Sequence, residues 1–254
     1  MILRLLLAIG VGLAVAQVAT LVTTVFLHRA LSHRALTLRP PLYFAFRAVT
    51  WLTTGIKPRE WVAVHRKHHA CTDTESDPHS PAVLGWVRVT FLNAGLYRRA
   101  ARDPQTVDKY AKDLAPDRWD RVLFDRGLLG LGIGIVVLAL VLGPLYAVAA
   151  IVVHITYYLG IGGAINGLGH HFGTRPYENS ATNMQWLAWF TGGEGLHNNH
   201  HAAPTSARFS LAKGEYDIGW FAIRVFRKLR LANVRLDSVK LLPGSGARKR
   251  RVAA

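Results

Sequence analysis

The first 27 residues, MILRLLLAIGVGLAVAQVATLVTTVFL, carry a single ionisable side chain, Arg4. At ~1.5 Å rise per residue, a helix through them is about 39 Å long, enough to cross the ~30 Å hydrocarbon core of a bilayer. A cleaved leader would be shorter and would end at a small-residue processing site. This run instead leads straight into His28-Arg-Ala-Leu-Ser-His33. A second apolar block extends from Gly127 to Leu168 and is interrupted by Gly143-Pro144. The interruption divides it into two spans joined by a tight turn. The expectation is an all-α integral membrane protein with three transmembrane helices, at about 3–27, 127–143 and 145–168.

Charge sets the orientation. The chain has 31 Lys+Arg and 15 Asp+Glu, a formal net charge of +16. Such a balance alone would suit nucleic acid. However, 17 of the basic residues lie in 28–126 and 13 in 169–254, and the turn at 143–144 has none. That distribution follows the positive-inside bias, so both long polar segments are expected in the cytoplasm, attracted to the bilayer surface, and nucleic acid is excluded as a partner. The segments 28–126 and 169–240 are expected to form one helical cap within a single domain, 1–254, with a basic tail at 241–254. Helices are expected around 60–70, 104–114 and, amphipathic, 217–231. Leu42–Thr54 is apolar but short and contains Arg47, so it reads as a helix in or dipping into the interface. The one cysteine, Cys71, rules out a disulfide scaffold.

Eight of the 12 histidines fall into three boxes: His28 and His33; His65, His68 and His69; His197, His200 and His201. On a helix, residues at i, i+3 and i+4 lie on one face, so boxes two and three are each expected to present three imidazoles in one direction. Box one, spaced by five, does not share a face on a regular helix, and its second histidine is expected on a turn that Ser32 helps to shape. Asn166 and His170, four apart at the end of the third span, point the same way. Neutral imidazole suits first-row transition metals, and nine exceed what one ion accepts, so two metals are expected. The lack of a carboxylate ligand motif and of a cysteine set argues against a carboxylate-bridged bundle or a structural zinc. Asp73, Glu75 and Asp77 are expected to shape a turn and orient box-two imidazoles, His79 to hold the loop after box two, and His171 to stand behind His170. His154, inside the third span, is expected to be neutral and hydrogen-bonded.

These boxes, with NGLGHHFG (166–173), WVAVHRKHHA (61–70), DPHSP (77–81) and GEGLHNNHHAAPTSARFS (193–210), resemble the integral-membrane fatty-acid desaturases over roughly residues 20–235. They look most like a bacterial Δ9-type branch acting on membrane-lipid acyl chains. The resemblance implies a di-iron centre that uses O2 and two electrons to introduce a cis double bond into a lipid- or CoA-linked acyl chain, in a bacterial plasma membrane. It implies His28, His33, His65, His68, His69, His170, His197, His200 and His201 as iron ligands, with Asn166 acting through a water. An apolar tunnel is then expected, with Trp51, Leu52, Trp186 and Trp189, and also Phe44, as candidate lining. Electrons must come from a separate ferredoxin-, rubredoxin- or cytochrome-type donor and its reductase, since one cysteine cannot hold a cluster. Arg98, Arg99, Arg102, Lys109, Lys112 and the Arg248–Arg251 tail would suit an acidic donor.

The chain departs from the acyl-CoA branch in having room for one span before box one. It also carries Leu196 where many relatives have tryptophan. A hydroxylase, acetylenase or decarboxylase on the same scaffold is the alternative activity. A non-enzymatic metal-binding membrane protein is disfavoured, because the spans offer no polar path.

Overall fold

The computed structural model describes residues 1–237 and 241; the rest of the expected tail, with its Arg248–Arg251, lies outside the described residues. Helix α1 (Ile2–Val22) continues without a break as a π-helical segment, Thr23–Ser32. A short strand β1 (Leu36–Leu38) precedes α2 (Pro40–Thr54), α3 (Pro58–Ala70), α4 (Pro81–Leu84), α5 (Trp86–Ala101) and α6 (Pro104–Tyr110). Helices α7 (Gly127–Leu142) and α8 (Pro144–Gly167) meet at Gly143, whose φ of 82° glycine adopts without steric cost. Then come α9 (Gln185–Phe190), α10 (His197–Ala202), α11 (Ile218–Lys228) and β2 (Ala232–Val234). β1 and β2 pair antiparallel, with Leu36 opposite Val234, and so tie the segment after the first span to the C-terminal one.

Among the described residues, two helices are long and apolar enough to cross a bilayer: Ile2–Ser32, of 31 residues, and Pro144–His170, of 27. The third expected span, α7, is apolar but has 16 residues, about 24 Å. It starts at the expected Gly127, because Asp120–Phe124 forms a separate π turn and Arg126 leaves the helical conformation, and it ends at Leu142, one residue before the expected limit.

Helices α1 and α8 lie side by side and run in the same direction. Gln17 Nε2 donates to Tyr157 Oη at 2.5 Å, and the hydroxyls of Thr23 and Tyr158 meet at 2.8 Å. Gly12 permits the approach, since a Cβ there would come within 2.5 Å of the Ala150 carbonyl oxygen. The parallel packing brings His28 and His33 to the same end of the molecule as Asn166 and His170. Beneath that end, Val22, Phe26, Leu27, Phe46, Val62 and Ile223 form the apolar core.

The expected interfacial segment is α2, and it packs against α1 and α7. Trp51 packs on Gly130 of α7 and donates from Nε1 to the Arg126 carbonyl at 2.9 Å. The carbonyls of a helix's last turn lack intrahelical donors. His154 Nε2–H supplies one, donating to the Thr53 carbonyl at 2.7 Å. Arg47, 4% exposed, is held by paired 2.8 Å bonds to Asp117, by Asp120, and by the Phe124 ring beneath it. These partners let a short helix bury its one charge.

Helix α5 has no counterpart in the sequence reading, and the helix expected at 104–114 ends at Tyr110. α5 follows the second half of α8 because Gly163 and Gly167 admit the Thr90 backbone. A Cβ at Gly163 would collide with the Thr90 carbonyl, whereas one at Gly162 would sit 3.7 Å from Asn93 Nδ2, an ordinary contact. Gly163→Leu should therefore cost about 1–3 kcal/mol or more. It should lower the melting temperature in detergent by several degrees, while Gly162→Ala leaves it unchanged.

Candidate metal centre

Box one sits on the π segment. Its i→i+5 hydrogen bonding brings residues five apart into register: His33 N–H donates to the His28 carbonyl at 3.1 Å, and the two rings stand 4.9 Å apart. Ser32 Oγ donates to the Leu27 carbonyl at 2.9 Å, five residues back. The spacing that excludes a shared face on an α-helix is the one a π-helix accommodates. This corrects the expectation of a regular helix at box one, while His33 itself is the C-cap, in a bend just past the segment, as expected.

Boxes two and three do not each point one way, which corrects a second expectation. His65, His69 and His200 join His28 and His33 in one group; His68, His197 and His201 join His170 in another. Within each group the ligand nitrogens lie within 4.8 Å of one another. The i,i+4 pairs His65/His69 and His197/His201 stay together. Consecutive residues diverge by about 100° on a helix, so His68 and His200 each turn to the opposite group. The groups adjoin through His69 and His201, whose rings stack at 4.4 Å.

Carboxylates fix several of these rings. Nδ1–H of His68 donates to Asp77 at 2.9 Å, that of His170 to Asp73 at 3.0 Å, and that of His28 to Glu194 at 2.7 Å. Each such bond leaves Nε2 as a lone pair directed inward. His28 Nε2 then faces His200 Nε2 at 3.0 Å, His68 faces His201 at 3.3 Å, and His170 faces His197 at 3.1 Å. Burial pushes His33, His65, His69, His197, His200 and His201 far below the ordinary imidazole range, and their neighbouring imidazoles push the same way. Burial raises the Asp77 carboxyl, but His68 and His79, through hydrogen bonds and charge, together outweigh this and hold it below the usual range. Converging neutral imidazoles with ring tautomers set by carboxylates form a donor set that fits first-row metal ions.

The surroundings are rigid. Arg29, next to His28, is fully buried and forms a bidentate pair with Asp217 at 2.9 and 3.0 Å. It also donates to the Gly192 and Ala207 carbonyls and lies 3.8 Å over the Phe209 ring. Helix α10 has six residues, too few to be stable alone. Its buried Asn198 donates to Ala181 O at 2.9 Å and accepts from Tyr177 N–H at 2.8 Å, while Asn199 donates to Phe209 O and Glu215. His79 stacks on His68 at 4.6 Å, and burial lowers it to about 3.

Several expected residues lie elsewhere. His171 is exposed against Trp86 rather than behind His170. Trp186 and Trp189 are 57% and 46% exposed, because α9 packs through Leu187 and Ala188. Phe44, 42% exposed, packs on Trp119 and Phe124. Trp51 is buried and Leu52 half-buried against α7. Asn166 Nδ2 donates to Asn93 of α5 at 2.9 Å. Asp73 serves His170 rather than box two. Sequence reasoning missed Glu194, Arg29 and Asp217. Glu194 carries the one usable signal, an isolated acid in a glycine-rich approach to box three.

Residues 4–221 match the family described as fatty acid desaturase. The chain is 34% identical over 217 residues to delta-9 acyl-lipid desaturase 2 of Arabidopsis thaliana, covering 82% of this chain and 68% of that one. It is 32% identical over 241 residues to the sn-1 stearoyl-lipid 9-desaturase of Anabaena variabilis, covering 92% and 86%. It is 30% identical over 229 residues to the enzyme of that name from Synechocystis sp., covering 87% and 67%.

Removing a carboxylate should loosen the ring it orients. Glu194→Gln should weaken metal retention about 10- to 100-fold, read as metal per chain after graded chelation. Acid should destabilise the metal-free chain. Its buried imidazoles stay neutral, whereas those of the unfolded chain take up protons below about pH 6.5. Stability rises with pH wherever the unfolded state binds more protons. The melting temperature of chelated protein should therefore fall as pH drops through about 6.5.

Proposed function

The chain belongs to the fatty acid desaturase family, and we propose that it introduces a cis double bond at the Δ9 position of a lipid-linked acyl chain, using two irons and O2. It is a membrane oxidoreductase acting on fatty acyl chains. The observation that carries the proposal is the convergence of nine imidazoles from four chain segments into two adjoining groups at one end of two parallel apolar helices. His28, His33, His65, His69 and His200 would hold one iron. His68, His170, His197 and His201 would hold the other, with Asn166 acting through a water. Bound there, the irons supply the activation of O2, which takes up two acyl hydrogens with two electrons and two protons and leaves as two waters.

The chain's own residues supply the positioning. Asp73, Asp77 and Glu194 keep three imidazoles in the tautomer whose Nε2 faces inward. Arg29 and Asp217 fix the end of the first helix, and Phe209 closes on His28 and His200. The acyl chain would reach this end from the bilayer, with Trp51 and Leu52 of α2 as contacts. The basic distribution supports a cytoplasmic site. Arg98, Arg99, Arg102, Lys109 and Lys112 are exposed at the ends of α5 and α6. They would receive an acidic electron donor of ferredoxin, rubredoxin or cytochrome type.

The test combines metal and product analysis. Protein purified with iron supplied should hold about two irons per chain and lose them in the His68→Ala, His200→Ala variant. Cells expressing it should accumulate acyl chains two hydrogens lighter. Products one oxygen heavier would establish the hydroxylase reading instead. One zinc, or no metal in folded protein, would overturn the proposal.

A further inference from the structure

Helix α11 has three faces. Gly219, Ile223 and Phe226 pack inward. Arg224, Arg227 and Lys228 form an exposed basic face. Between them runs an exposed apolar stripe: Ile218, Phe221 and Val225 at 37%, 59% and 39%, with Leu229, 60% exposed, just past the helix end. A surface helix of a water-soluble domain needs one apolar face, toward its core. This one has two.

Its position explains the second. Asp217, which caps the α11 N-terminus through Trp220 N–H at 2.9 Å, also clamps Arg29 at the end of the first apolar helix. Farther along, Phe226 packs on Phe46 at 5.6 Å, and Phe46 on Phe26 at 6.4 Å. The helix therefore lies across the molecule at the level of residues 26–29, where the first apolar run ends. Helix α9 continues the same surface. Gln185 and Tyr216 exchange two hydrogen bonds, and Tyr216 stacks on Trp189 at 5.0 Å. On its far side, Tyr157 Oη of α8 donates to the Phe190 carbonyl at 3.4 Å. The exposed rings of Trp186, Trp189 and Phe190 thus join the apolar flank of a membrane-spanning helix to the stripe on α11. Tryptophan and tyrosine at this level are the side chains that favour the bilayer interface, and a basic amphipathic helix in its plane is a monotopic anchor.

We propose that α9 and α11 insert into the leaflet on the histidine side as an in-plane anchor, with Arg224, Arg227 and Lys228 gathering anionic lipid headgroups. The occupant of the stripe is lipid rather than a soluble protein, because the patch is continuous with the lipid-facing flank of α8. Its basic border complements acidic headgroups, and long basic side chains reach them while their stems cover apolar surface. The anchor also bears on the site, since the residue that starts α11 is the one that clamps Arg29 beside His28.

The full chain with Cys71→Ser, given a single cysteine by Phe221→Cys or Arg227→Cys, is labelled with an environment-sensitive fluorophore. It is then placed in phosphatidylcholine nanodiscs carrying shallow spin-labelled acyl chains. The label introduced by Phe221→Cys should be quenched by the lipid and shielded from iodide; that introduced by Arg227→Cys should behave in the opposite way. Equal iodide access for both would overturn the anchor and leave the stripe open to a soluble partner. For the headgroup preference, spin-labelled phosphatidylglycerol should quench the Phe221→Cys label at least twofold more than spin-labelled phosphatidylcholine. Arg224→Gln, Arg227→Gln, Lys228→Gln should remove the difference. Equal quenching by the two lipids in the parent protein would overturn the anionic preference. Neither readout depends on metal or on turnover.

Discussion

Neutral imidazoles whose lone pairs face one another at about hydrogen-bond distance repel unless a cation lies among them, and most of the fold here is arranged to hold nine of them in that condition. Asp77, Asp73 and Glu194 remove the freedom of three rings to turn or change tautomer. The fully buried pair of Arg29 and Asp217 clamps the helix carrying box one to the segment that follows box three. Asn198 and Asn199 bind a six-residue helix into the loops around it. Each device spends buried polar groups on geometry rather than on stability. A buried ion pair is seldom a net stabiliser, and apolar packing would hold the chain together as well. What it would not do is fix ring orientation.

The membrane supplies the second constraint. In hydrocarbon every backbone carbonyl needs a donor within the protein, and the end of α2 meets this with the His154 side chain rather than with water. Arg47 meets the corresponding demand for charge through Asp117 and Asp120. These two arrangements allow a helix of 15 residues to enter the interface beside α7 and to lead α3, with box two, back to the site. Parallel packing of α1 and α8 does the same for box one and His170, by setting both helix ends at one level. Position relative to the bilayer and convergence of the ligands are therefore one problem with one solution.

Much of this was legible in the sequence. The apolar runs gave the membrane class. The box spacings, with the motifs around them, gave the family and the nine histidines that meet. Local chemistry is readable where local sequence carries it, as in the amphipathic 217–231 and the interfacial 42–54. The sequence reading failed where neighbours far along the chain decide the outcome. Trp186 and Trp189 look like lining residues until α9 is seen to pack through Leu187 and Ala188. α5 needs the glycines of α8 to find a partner. Glu194 is an ordinary acid until His28, 166 residues away, lies against it.

By itself, then, the sequence determined that this chain lives in a membrane, that its histidines gather at one face, and which family it resembles. The tertiary structure decided how those histidines divide. A spacing of five became a shared face because that stretch winds as a π-helix, and adjacent histidines parted because consecutive helical positions diverge by about 100°. Periodicity fixes directions on one helix. Which directions meet depends on how separate helices pack, and that is set by glycines, buried ion pairs and a bilayer that no single segment encodes.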